Sequence, residues 1–207
     1  DEVIGDDQYA LPVSGPGQRP VRHLGYLGIN SGGLDRTEVI TADLDSINIG
    51  YTGHIVAKKT QNLVVTPLIL SSNIAGLISA GTIGFMSDPA MLRNSFTPTG
   101  KQYVIAARIT GIVETAFPDG PPATPGTDTT STTEDQHLLA SKNPINVILV
   151  ADTDMLTDRF WVQVQNFLGQ RITNAFASNG NFVINSLENL TGSSDLIGMR
   201  SRQSYSR

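Results

Sequence analysis

Short alternations of apolar and polar residues fill the first half of the chain. Val3-Ile4, Tyr9 to Val13 and Val21 to Ile29 read as extended pieces, and Ile47 to Tyr51, Ile55 to Lys58 and Leu63 to Leu70 as strands. They are rich in β-branched residues and bounded by Gly or polar turns, the pattern of half-buried strands. Ser14-Gly-Pro-Gly17 and Ser31-Gly-Gly33 are breaks, because Gly and Pro supply backbone angles other residues resist. Thr41 to Leu44 reads as a single helical turn. Asp88-Pro-Ala-Met-Leu-Arg-Asn94 predicts a short helix with Asp88 capping and Pro89 at the first helical position. Tyr103 to Phe117 is the longest predicted strand, with Ile105, Ile109 and Val113 on one parity and Arg108, Thr110 and Glu114 on the other.

The pattern changes at Pro118. Residues 118–135 hold four prolines and six threonines and almost nothing large and apolar. Such a segment cannot bury enough surface to offset its ordering entropy, so it predicts a flexible loop, an exposed insertion or a binding loop. Ile145 to Val150 then reads as a buried strand ending in an acidic turn. Phe160, Trp161, Val164, Phe167 and Leu168 fall at helical spacing, with Trp161 most simply a core anchor. Val183, Ile184, Leu187 and Leu190 define a second helix face, capped near Asn179 or Asn181 and stopped by Gly192. Leu196-Ile-Gly-Met199 reads as a last short strand before a polar tail.

The predicted fold is therefore α/β, a mixed β-sheet flanked by helices. It is mostly β in the first half, with a strand-helix-helix unit in the second. The expected organisation is a strand-rich part over residues 1–117, a Pro/Thr-rich loop over 118–142, an α/β unit of the same domain over 143–200, and a tail over 201–207.

At 207 residues, 39% of them hydrophobic, the chain is long enough for one well-buried core. Charged residues make up only 16%, against about 25% in ordinary soluble domains, so the surface leans on Ser, Thr, Asn and Gln. A net charge of −5 with scattered Lys and Arg argues against nucleic acid as a partner. The absence of cysteine excludes disulfides and cysteine nucleophiles. No run approaches the ~20 apolar residues of a membrane-spanning helix, and the acidic start is no signal peptide. Because the chain opens without Met, it is expected to belong to something longer, and any anchor would lie outside it.

Among chemical motifs, Asp152-Thr-Asp154 after the apolar strand is the sharpest. Haloacid-dehalogenase-type phosphatases place a nucleophilic Asp and a second acid two residues on around Mg²⁺ in this way. Those enzymes need a downstream Lys and a further acidic pair, and the 53 residues after Asp154 contain no Lys. The simpler reading gives Asp152, Asp154 and Asp158 to a strand-to-helix turn and a helix N-terminus. The same three residues are also the best candidates for a binding surface, because polar groups at a strand end are where open α/β sheets hold ligands. His23, His54 and His137 lie far apart in unlike contexts and suggest no metal site. Gly25-x-x-Gly28 and Gly15-x-Gly17 lack the strand-to-helix setting of a nucleotide loop. No Gly-x-Ser-x-Gly elbow occurs, and Asn189-Leu-Thr191 fits a glycosylation sequon that arises readily by chance.

Four blocks resemble a known family: Val3-Ile-Gly-Asp6; Phe117-Pro-Asp-Gly-Pro-Pro122; Pro144-Ile-Asn-Val-Ile-Leu-Val-Ala-Asp-Thr-Asp154 with Asp158-Arg-Phe-Trp161; and Asn179 to Gly192 with Leu196 to Arg202. The resemblance is to the auxiliary component of ABC-type transport systems linked to gliding motility, the GldG-like family. It implies an α/β core within a large extracytoplasmic, periplasmic region of a membrane protein, working beside an ABC ATPase and permease or other envelope proteins. Most such proteins come from bacteria that do not glide, and the resemblance carries over no catalytic residues. The expectation is a non-enzymatic domain that binds a protein or a ligand, without cofactor or metal. The alternatives are a solute-binding module of the transporter and a Mg²⁺-dependent phosphatase using Asp152 and Asp154.

Overall fold

The computed structural model describes residues 2–14, 19–58, 62–83, 88–120, 137–167 and 170–192. Its strands form four antiparallel sheets in place of the one mixed sheet expected. β1 (Glu2–Asp6) pairs with β6 (Ala75–Ser79), and β2 (Ala10–Val13), β3 (Val21–Asn30) and β4 (Ser46–Gly50) form a meander in that order. β7 (Val104–Gly111) runs between β5 (Leu63–Leu70) and β8 (Ile145–Val150). β9 (Val162–Phe167) and β10 (Gln170–Ala175) form a separate hairpin. The α-helices among the described residues are α1 (Pro89–Ser95), α2 (Asp158–Trp161) and α3 (Asn179–Leu190). The α/β class and the strand-rich first half are as the sequence predicts.

One core joins the two three-stranded sheets. Leu27 and Ile29 of β3, Ile47 and Ile49 of β4, Leu68 and Ile69 of β5 and Ile105 of β7 are all fully buried, and Phe182 of α3 closes the cluster. Burying each such side chain contributes about 1.5–3 kcal/mol. Beside this core, Arg108 grips Glu38 with two parallel bonds, Nη2 to Oε1 at 2.7 Å and Nε to Oε2 at 3.2 Å. That fork ties the middle of the β5–β7–β8 sheet to the turn after β3.

The second half departs from its predicted periodicity. The helix expected through Phe160, Trp161, Val164, Phe167 and Leu168 is a single turn, α2, and the chain then turns into β9. Val162-Gln163-Val164-Gln165 also alternates with period two, and its β-branched residues favour the pleated form. Trp161 is half-buried, with its ring against Gly180 of α3 and its indole Nε1–H donating to the Leu156 carbonyl at 3.2 Å. In α3 the buried positions are Asn179, Phe182 and Ser186, while Ile184, Leu187 and Leu190 are exposed. The stripe that packs is thus rotated from the one marked by the most apolar residues. Ser178 is the residue before the helix, and Gly192 (φ 81°) follows its end in the left-handed conformation that stops helices.

Elsewhere, α1 starts as predicted, with the Asp88 carboxylate accepting from the Ala90 N–H at 2.9 Å. The predicted strand at Ile55 is only an isolated bridge to Val104, and β7 stops at Gly111 (φ 131°) short of Phe117. Thr41 to Leu44 is a hydrogen-bonded turn. The turn at Gly15–Gly17, most of the Pro/Thr-rich loop (121–136), the strand at Leu196–Met199 and the tail lie outside the described residues.

Candidate functional site

The site is organised along the outer edge of β4. Its partner β3 takes the main-chain groups of Ile47 and Ile49, so those of Ser46, Asn48 and Gly50 point the other way. Among the described residues no further strand adds to that edge. The second half of the chain covers it group by group instead. The Ser178 N–H donates to the Ser46 carbonyl at 2.8 Å. The fully buried Asn179 amide accepts from the Asn48 N–H at 3.1 Å and donates to the Asn48 carbonyl at 2.6 Å. The Asp152 carboxylate accepts from the Gly50 N–H at 2.9 Å. This side-chain ladder satisfies an edge that would otherwise be open to stray pairing.

Asp152 is therefore turned inward. Its other oxygen accepts from the Asp154 N–H at 2.7 Å, closing the acidic turn. Burial pushes its carboxyl above the usual carboxylate range, opposed by the main-chain N–H groups of Gly50, Asp154 and Met155. Asp154 is exposed and faces a cavity of about 510 Å³. Asp158 is exposed at the first position of α2, outside that lining, where its charge suits the helix N-terminus. Of the three predicted site residues, one holds the frame, one lines the cavity and one opens a single helical turn.

The sequence reading missed the rest of the cavity. Its floor is aromatic: Tyr26 and Tyr51 line it, with ring centroids 4.9 Å apart at a tilt of 49°, and behind them lie the buried rings of His23, 4.7 Å from Tyr26, and Phe160, 5.8 Å from Tyr26. The Arg159 guanidinium sits over this group, 4.8 Å from the Phe160 centroid and 6.0 Å from that of Tyr26. Val3, Ala80 and Ile83 supply an apolar wall. Backbone without side chains makes the stacking possible, since a Cβ at Gly50 would lie 2.5 Å from the Phe160 ring and one at Gly25 2.8 Å from that of Tyr51.

Tyr51 itself has φ 52°, the left-handed region that a bulky L-residue adopts only under constraint. The constraint is visible in the Tyr51 N–H, which donates to the Gly25 carbonyl at 2.7 Å, and in the Tyr51 hydroxyl, 3.4 Å from His23 Nε2. Burial, with the neighbouring Tyr26 hydroxyl, raises the Tyr51 phenol well above its ordinary value, so it stays neutral. These bonds hold the ring on the cavity floor against the strain.

His23 is nearly fully buried, and Nδ1 accepts from the Gly25 N–H at 3.1 Å, leaving the proton on Nε2. Burial lowers its pKa below 6.5. Below 6.5 the unfolded chain takes up a proton that the folded chain still refuses, so stability falls as pH drops through this window and is fully present above it. The urea midpoint of the wild-type chain is expected to fall more steeply between pH 7.5 and 5.5 than that of His23→Gln. Parallel slopes would show that His23 is not the group responsible. Among the described residues, His, Asp and Glu side chains nowhere gather in threes, and His54 lies instead against Tyr103 with centroids 5.3 Å apart.

The strand before the acidic turn, β8, is not the buried strand expected, since Val147 and Leu149 are exposed. Fold and site together define an α/β domain with a ligand-sized, aromatic-floored cavity beside the acidic turn that follows β8. The chain belongs to the family described as the ABC-type uncharacterized transport system, whose family model matches residues 1–186. It is thus an auxiliary component of an ABC-type transport system. Neither a curated protein nor a solved structure matches the chain. Among the described residues no helix is long and apolar enough to cross a membrane.

Proposed function

We propose that this chain is an extracytoplasmic part of its transport system's auxiliary protein, that it works by binding rather than catalysis, and that segments elsewhere in the protein anchor it beside the permease and ATPase. Family membership supports the setting, and the four sequence blocks support a GldG-like position within that family, with gliding itself a namesake. A surface low in charge and rich in uncharged polar residues suits an envelope compartment where partners meet by shape and hydrogen bonding.

The observation that carries the binding reading is the division of labour in the acidic turn. A phosphatase nucleophile must face its substrate, whereas the Asp152 carboxylate is occupied by the Gly50 and Asp154 N–H groups. The open cavity beside it offers ring faces, one cation and one carboxylate, which suit holding a molecule more than transforming it. The cavity also favours the solute-binding form of this reading over a flat protein-docking face.

Affinity purification of the full-length protein from native membranes tests the setting. The permease and ATPase are expected to copurify, and their absence with intact bait would break the assignment to a transport complex. A separate assay tests the catalytic alternative: Mg²⁺-dependent hydrolysis of an aryl phosphate, abolished by Asp152→Asn, would overturn the non-enzymatic reading.

A further inference from the structure

The cavity holds two opposite charges that do not neutralise each other. Arg159 and Asp154 both line it and both are exposed, yet they form no ion pair. Among the described residues, the ion pairs are Arg93–Asp7 and Arg108–Glu38. Among the described residues, the Asp154 carboxylate accepts no hydrogen bond, and the Arg159 guanidinium meets the ring faces of Phe160 and Tyr26. A cation and an anion held apart over an aromatic floor ask for a ligand with the complementary arrangement.

We propose that this cavity binds a small zwitterion, an amino acid or short peptide with free amino and carboxylate ends. This rests on the binding reading above and adds the ligand class. The ligand carboxylate takes the planar fork of Arg159, which suits two parallel hydrogen bonds. The ammonium end meets Asp154 and the ring of Tyr51, a carboxylate-plus-ring environment that favours cations. An apolar side chain fits against Val3, Ala80 and Ile83. A simple anion or cation would satisfy one protein charge and strand the other, and a neutral polyol would leave both without a counter-charge. A volume of about 510 Å³ suits a molecule of this size. The neutral Tyr51 phenol adds a hydrogen-bonding group without a third charge.

Calorimetric titration of the 207-residue chain with alanyl-leucine tests this, with its N-acetylated form, its C-terminal amide and glucose alongside. Alanyl-leucine is expected to bind and to raise the melting temperature, and blocking either end to weaken binding by about tenfold or more. Arg159→Gln should erase the preference for a free carboxylate, and Asp154→Asn the preference for a free amine. Both side chains are exposed, so the unliganded variants should melt like the wild type. Equal binding of blocked and free peptides, binding of glucose alone, or no response to alanyl-leucine would each overturn the proposal. If the permease and ATPase still copurify in that case, the ligand class fails and the transport reading stands.

Discussion

Replacing Asp6 with alanine is expected to cost about 4 kcal/mol of folding stability, a large share of the roughly 5–15 kcal/mol that holds a domain together. Asp6 is fully buried at the end of β1, and its carboxylate accepts four hydrogen bonds. One oxygen takes the Gln8 and Tyr9 N–H groups and the Ser72 hydroxyl at 2.9, 3.3 and 2.8 Å, and the other takes the Ser72 N–H at 2.7 Å. The residue fixes the turn into β2 and clamps the start of the chain to the connection between β5 and β6. Alanine would strand these donors where water is scarce. Asp6→Asn keeps the shape but turns an amide donor toward N–H groups, so it should cost nearly as much. Asp7, whose partner Arg93 is at the surface, is the control, and Asp7→Ala should cost less than about 1 kcal/mol. Urea unfolding gives both numbers through the midpoint at constant slope. A loss below about 1 kcal/mol for Asp6→Ala would show that the four bonds are replaced by water or by rearrangement.

Local chemistry was legible in the sequence, and long-range pairing was not. The Asp88-Pro89 start of α1 and the strands at Leu63–Leu70 and Ile145–Val150 follow from nearest neighbours alone. The acidic turn was found from its place after an apolar run, but its geometry reverses the simplest chemistry: Asp152 faces the main chain of β4 and Asp154 faces the cavity. Nothing near Asp152 in sequence announces that Gly50 needs an acceptor. Tyr26, Tyr51 and Arg159 meet only because β3, β4 and α2 pack together, and a strained φ at Tyr51 leaves no mark in a linear pattern. The hairpin after α2 was misread as helix because short runs containing Val, Phe and Gln satisfy both periods. The buried face of α3 differs from the apolar stripe for a related reason: beside Phe182 it holds Asn179 and Ser186, which hydrophobicity ranks with the solvent side.

That asparagine carries the second large expectation. Asn179→Ala should lower stability by about 3 kcal/mol, and Asn179→Asp by at least as much. The side chain is fully buried and acts as a substitute strand for β4, exchanging both bonds with the Asn48 backbone while its amide nitrogen also donates to the Met155 carbonyl at 2.7 Å. Its orientation is fixed by these partners, one N–H that needs an oxygen and two carbonyls that need a donor. Alanine leaves all three groups without a bond, and aspartate sets a carboxylate against two carbonyl oxygens. Because Met155 follows the Asp152–Asp154 turn, losing this amide should loosen the turn before it unfolds the sheets. Hydrogen exchange would then show faster exchange at the Gly50 and Asp154 amides, both bonded to Asp152, than at the amides of β7. Asn181→Ala, at an exposed position two residues on, should change neither reading. If Asn179→Ala lowers the urea midpoint no more than Asn181→Ala, the edge of β4 is held by its other partners, Ser178 and Asp152, and the amide is dispensable.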